Sequence, residues 1–225
     1  MTATGTKNGI EVIERKEISQ SLGIFYQTLT QYIGFAGMGD EYKVMGLSSY
    51  GRKGKVDLSA VIDVSDSDYE INPEIYKRDP KHRNLIEPMY GDKLVELYGQ
   101  PRHKGEPISQ EHMDFAYAIQ DAFERASIAV ISKLYQQTRI RKLCIAGGCA
   151  LNCLSNMKLL DLGFIDDLFV QPAATDQGTA LGAALSVSAS NGTWPLPIPN
   201  YYLGQGYSDE ETEKVLKVTR APYLK

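Results

Sequence analysis

Gly147 and Gly148 stand where the apolar run Leu143 to Ile145 gives way to Ala150, Leu151 and Asn152. Two neighbouring residues without Cβ atoms let backbone N–H groups come close to an anion, and a helix starting there adds partial positive charge. Phosphate is the natural guest of such a corner, and the Asn152 amide has the donor and acceptor that suit a ribose or a base edge. A tight packing turn would use the same residues, so the corner by itself leaves both readings open.

A second corner has the same form. In "FVQPAATDQGTALGAAL" an apolar run meets a proline, then Asp176 and Gly178, then a helix rich in small residues. Asp176 either caps that helix or serves as an oxygen ligand for a cation or a metal-bound phosphate. Two glycine-marked strand-to-helix corners in one sheet can line a single crevice at its carboxyl edge. A third stretch, "GFAGMGDEYKVMGLSSYG", sets Asp40, Glu41 and Lys43 directly before the apolar Val44, Met45 and Leu47. Its carboxylates suit ribose hydroxyls, and Lys43 suits a phosphate or Glu41 itself; a surface salt-bridge set is the alternative. His82, His103 and His112 are too dispersed to build a metal site locally, and neither a G-x-S-x-G elbow nor a Walker loop is present. Cys149 and Cys153 read as small buried hydrophobes rather than zinc ligands.

The elements that must position these residues belong to a chain of 225 residues, 43% hydrophobic and 23% charged, with a formal charge of -4 and a pI near 5.5. That balance gives a folded chain without the basic field that nucleic acid or an anionic membrane would select, so neither is expected as a partner. Three cysteines fall within ten residues; such a set makes a poor disulfide framework and points to a reducing cytoplasm. No run is long enough to span a membrane, and "MTATGTKNG" reads as polar and frayed.

Along the chain, "GIEVIERKEI" favours a strand, and Leu22, Phe25, Leu29 and Ile33 share a helix face that Gly34 ends. Residues 51 to 107 are turn-rich, with strands near Val61–Val64 and Tyr69–Ile71, and the basic run "YKRDPKHR" reads as a solvated loop. A long amphipathic helix starts at a Ser109 cap and carries Met113, Ala116, Ile119, Phe123, Ala126, Val130 and Leu134 on one side. Strand, helix, strand, helix then follow from "KLCIAGG" to "GTALGAALSVS", which predicts an α/β layer. Pro195, Pro197 and Pro199 predict an extended linker before a short helix near Ser208. Both ends read as cut from a longer chain.

The stretches "SLGIFYQTLTQYIGF...DEYKVMGLSSYG", "GGCALNCLSN" and "FVQPAATDQGTALGAAL", in that order, resemble the O-carbamoyltransferases that include nodulation-factor, cephamycin and tobramycin carbamoylating enzymes. The likeness runs from about Ser21 to Ser188, and "YLGQGYSDEE" resembles the family's interdomain junction. It implies an α/β fold, the second lobe of an actin-like ATPase (ribonuclease H-like) domain with a mixed sheet and flanking helices over residues 1–190. Residues 191–225 would be a linker and the start of a missing C-terminal domain. That missing domain would make carbamoyl-adenylate from carbamoyl phosphate and ATP, and the actin-like domain would pass the carbamoyl group to a hydroxyl of a small-molecule acceptor. The resemblance further implies a divalent metal, typically iron, held by two histidines of an absent N-terminal portion and by Asp176. Gly147, Gly148 and Asn152 would contact the nucleotide, with Glu41 and Lys43 on the ribose and phosphate side. Gln20 stands where the family often has histidine, Cys149 where valine is usual and Thr175 where glycine is usual. A fragment of this kind would be inactive alone. A sugar-kinase-like ATPase lobe and a non-catalytic nucleotide-binding module are the competing readings, because fold alone does not fix chemistry.

Overall fold

The computed structural model describes residues 1–7, 9–35, 37, 39–82, 87–193, 201–202 and 204–224. The three prolines of the expected linker and Arg83 of the basic run lie outside them. The chain divides into two compact units, Met1–Gly178 and Thr179–Lys225.

The first unit opens on an antiparallel hairpin, β1 (Thr2–Thr6) and β2 (Gly9–Glu14). The polar "TATGT" is thus a strand rather than a frayed end. Its threonines have β-branched side chains that suit a pleated surface, and its pairing with β2 supplies what apolar alternation does not. Helix α1 (Leu22–Tyr32) begins where the Ser21 hydroxyl accepts from the Ile24 N–H. Phe25 and Leu29 on its inner face have no exposed surface. It ends at Gly34, whose φ of +85° suits a residue without Cβ. There the Arg102 guanidinium donates to the carbonyls of Ile33 (2.8 Å) and Gly34 (3.1 Å), satisfying groups the helix leaves open.

Helix α2 (Glu41–Ser48) comes next, and its two glycine-rich approaches hide it from a periodicity reading. The small antiparallel pair β3 (Ile62–Val64) and β4 (Tyr69–Ile71) falls where the sequence predicts it. The short α3 (Asp92–Tyr98) was not foreseen in its turn-rich surroundings.

Helix α4 (Gln110–Thr138) is the spine, starting at the predicted Ser109 cap. At 1.5 Å per residue it is about 43 Å long. Its first half, including Phe115, Ile119 and Phe123, joins Phe25, Leu29, Val44, Ile71 and Leu94 in the main core. Its second half puts Ile128, Ile131 and Leu134 against a second core of Leu143, Leu159 and Ile165. Lys133 reaches Glu14 of β2 at 2.6 Å and ties the hairpin to this helix.

The second core covers one face of a parallel pair, β5 (Lys142–Ile145) and β6 (Asp167–Val170), in direct register from Lys142↔Asp167 to Ile145↔Val170. Helix α5 (Cys153–Leu160) lies between them in sequence, as a parallel crossover requires. The result is a mixed α/β architecture, and among the described residues its strands form three two-stranded sheets. Helix α6 (Gln177–Ser190) follows β6. In the second unit, α7 (Asp209–Thr219) starts at Ser208 as predicted, with Ser208 and Glu211 forming a reciprocal capping box. Among the described residues no helix is long and apolar enough to cross a membrane.

A close approach joins the loop after α2 to α4. Asp114 is only 3% exposed, and Arg52 meets its two oxygens with Nε at 3.2 Å and Nη2 at 2.6 Å. The Arg52 guanidinium, then the Gln110 amide and the Arg52 backbone N–H, hold this carboxyl well below the usual carboxylate range. A carboxyl whose folded pKa lies below its unfolded value near 4 stabilises the fold above that value and loses the contribution as pH falls through the folded one. The thermal midpoint should therefore fall as pH drops below about 4, and Asp114→Asn should flatten that fall. Equally steep profiles for both proteins would contradict this role.

Candidate functional site

Both glycine-marked corners lie at the carboxyl ends of β5 and β6, and one backbone bond joins them. The Gly147 N–H donates to the Ala174 carbonyl at 2.7 Å. Gly147 has φ +94° and ψ 168°, a region open almost only to glycine. That conformation turns the chain into a single 3-10 turn, Gly148–Leu151, before α5 begins. A Cβ added at Gly148 would meet nothing within 4 Å, so the turn presents bare backbone to open space. At the neighbouring corner the chain folds back so tightly that a Cβ on Gly178 would sit 2.1 Å from the Ala173 carbonyl oxygen. Thr175 bonds the Gln177 side chain there, and Asp176 is exposed beside it.

Asn152 behaves differently from the sequence expectation. It is the N-cap of α5, its Oδ1 accepting from the Ser155 N–H at 3.0 Å. It also exchanges two bonds with Gln120 of α4, both at 2.9 Å. At 9% exposure its amide is committed inward, because a cap and a buried partner claim it. The bare backbone of Gly147 and Gly148 is what faces outward.

The third stretch approaches the same corner. Glu41 at the start of α2 is half-buried; burial, with smaller contributions from Glu124 and Glu41, raises the Tyr26 pKa, and Glu41 also adds to the rise at Cys149. Burial is the larger cause for Cys149, whose thiol is pushed up to about 11. The Cys153 thiol touches the Met45 sulfur at 3.8 Å, linking the start of α5 to α2. Lys43 pairs with Asp40 at 2.6 Å, with the ring of Phe35 5.9 Å off. Its hydrogen bond, together with one from the Gly37 N–H, lowers the Asp40 pKa despite some desolvation. Cys149 is half-buried against the main core, whereas Cys153, expected to be buried, is exposed, as is Cys144. Among the described residues no three His, Cys, Asp or Glu side chains group as a metal would need.

Sequence reading passed over the layer beneath the corner. Tyr26 of α1 donates to Gln120 Oε1 at 2.8 Å, Gln120 Nε2 donates to Glu124 Oε1 at 2.8 Å, and Lys158 of α5 pairs with the far oxygen of Glu124. Gln120 and Glu124 are each 4% exposed. The available signal was two polar residues four apart on the apolar side of α4, flanked by Ile119 and Phe123.

With this geometry in hand, comparison with known proteins places the chain. The family described as Carbamoyltransferase N-terminus matches residues 5–185, and the chain belongs to that family. Nodulation protein NolO of Bradyrhizobium diazoefficiens is 39% identical over 198 residues, covering 87% of this chain and 34% of that protein. Nodulation protein NolNO of Sinorhizobium fredii is 37% identical over 188 residues, covering 84% of this chain and 26% of that protein. An uncharacterized Synechocystis protein is 36% identical over 207 residues, covering 88% of this chain and 33% of its own length. The chain thus spans about a third or less of these curated relatives.

Proposed function

We propose that the full-length protein transfers a carbamoyl group from carbamoyl-adenylate, itself made from carbamoyl phosphate and ATP, to a hydroxyl of a small-molecule acceptor. This chain contributes the second lobe of an actin-like domain. The observation that carries the reading is the Gly147 to Ala174 bond, which sets two glycine-marked corners side by side at one sheet end with open space over Gly148. Ligands of α/β sheets collect at such ends.

Carbamoyl-adenylate is a mixed anhydride. The acceptor oxygen forms a bond to the carbamoyl carbon, the bond from that carbon to the phosphate oxygen breaks, and AMP leaves with the electron pair while the hydroxyl proton is lost. The task of this lobe is to seat the leaving nucleotide, and preorganised backbone N–H groups do so without reorganisation. The open backbone at Gly148 fits a phosphate, because a side chain there would fill the space it needs. Glu41, close to the same corner, faces the ribose side. Lys43, engaged with Asp40, supplies positive charge farther out.

The metal is a separate matter. Asp176 offers one oxygen donor at the corner, and the described residues do not complete a ligand set around it. Asp176 is proposed as one ligand of an iron site whose remaining ligands come from the rest of the full-length protein. Replacing Asp176 with Asn there should lower bound iron, read by elemental analysis, and cut carbamoyl transfer by about 100-fold or more. Unchanged iron and unchanged transfer would remove Asp176 from the site. ATP hydrolysis to ADP that needs no carbamoyl phosphate would instead favour a kinase-like ATPase.

A further inference from the structure

Resting on the nucleotide reading above, we infer that Gln120 is a positioning residue: its side-chain amide grips Asn152 and thereby sets the diglycine corner against α4. Gln120 lies 32 positions before Asn152, and the pair exchanges two bonds at 2.9 Å, Nε2 to Oδ1 and Nδ2 to Oε1. Gln120 Oε1 also accepts from the Tyr26 hydroxyl at 2.8 Å, and its Nε2 also donates to Glu124 Oε1 at 2.8 Å. The two donors and two lone pairs of the amide are then all in use.

Polarity fixes the direction of this arrangement. Lys158 pairs with one oxygen of the Glu124 carboxylate, and the other oxygen accepts from Gln120 Nε2, so the amine end of Gln120 faces Glu124. Gln120 Oε1 is left for Tyr26 and for the amine end of Asn152. Asn152 Oδ1 is left for Gln120 and for the Ser155 N–H that begins α5. Reversing either amide would set like dipoles together in a buried place, where an unmet polar group is costly. The position of the corner is therefore set from α4 as well as by the corner's own bonds, Gly147 N–H to the Ala174 carbonyl and Asn156 Nδ2 to the Ala150 carbonyl.

Two substitutions in the full-length protein test this. Gln120→Met keeps the length and removes the bonds. Asn152→Asp keeps the Oδ1 cap on Ser155 and removes the donor to Gln120. Hydrogen exchange across residues 148–151 should speed up about tenfold or more in both, and AMP, the leaving nucleotide, added alone as the probe, should bind about tenfold more weakly. Ile75→Ala, in the main core away from the corner, should do neither when compared at the same fraction folded. Exchange across 148–151 that matches the unaltered protein, or rises no more than in Ile75→Ala, overturns the inference. If Gln120→Met does not fold, Asn152→Asp decides. If the unaltered protein binds no AMP, the nucleotide reading fails, and exchange alone decides whether Gln120 holds the corner. If AMP affinity is unchanged while exchange rises, Gln120 supports the loop but does not position it for ligand, and the inference is overturned.

Discussion

Gly51→Ala should lower the stability of the Met1–Gly178 unit by about 3 kcal/mol or more, through overpacking and lost partners at the buried Asp114 carboxylate. A Cβ there would sit 2.2 Å from the Met113 carbonyl oxygen and 2.5 Å from Tyr117 Cβ. Both lie on α4, and the first is backbone in the middle of a helical turn, so it cannot rotate aside. The next residue is Arg52, whose N–H and guanidinium both reach Asp114. Room for a methyl group would therefore be made by prising the loop away from the helix, leaving a buried carboxylate short of partners. For a chain of this size the midpoint should drop by roughly 6–12 °C. Gly46→Ala is the matched control: a Cβ there meets nothing within 4 Å inside α2, and alanine should raise stability by about 0.5–1 kcal/mol. Thermal unfolding followed by circular dichroism reads both, and a Gly51→Ala midpoint within a degree or so of the unaltered chain would show that the loop yields.

The second large effect is on activity without stability. In the full-length protein, Gly148→Val should reduce carbamoyl transfer by about 100-fold, because displacing a reacting group by even about 1 Å has that cost. Gly148 has an ordinary φ, and its missing side chain points into open space, so the fold should accept valine with little change in midpoint. Gly147→Ala is expected to behave in the opposite way. Its φ of +94° makes alanine strained by about 1–3 kcal/mol, so stability falls along with activity. Full transfer by Gly148→Val would mean that nothing needs the space above this glycine, and the nucleotide would have to be sought elsewhere.

The legible parts of the structure were those written in local spacing. The faces of α1 and α4, the Ser109 and Ser208 starts and the β3 and β4 pair follow from residues within a few positions of one another. The strand β1 was missed because "TATGT" carries no alternation and depends on its pairing with β2. Helix α2 was missed because Gly46 lies within it and Gly34, Gly37 and Gly39 precede it, masking a buried Val44. At the site, the two glycine corners could be read, and so could the chance that they share a crevice, since each corner is a local signal. The direction of the Asn152 side chain could not be read, because its partner Gln120 is on another helix. Lys43 had two plausible carboxylates, and the choice of Asp40 depends on how the preceding glycine turn folds.

One consequence of α4 extends beyond this site. A rod whose two ends are embedded in different hydrophobic clusters makes each cluster a lever on the other. Loss of volume on the shaft itself, at Ile119 or Phe123, would be felt at Leu143 and Leu159 through its tilt. Substitutions that change the seating of the shaft should therefore require compensation at its opposite end.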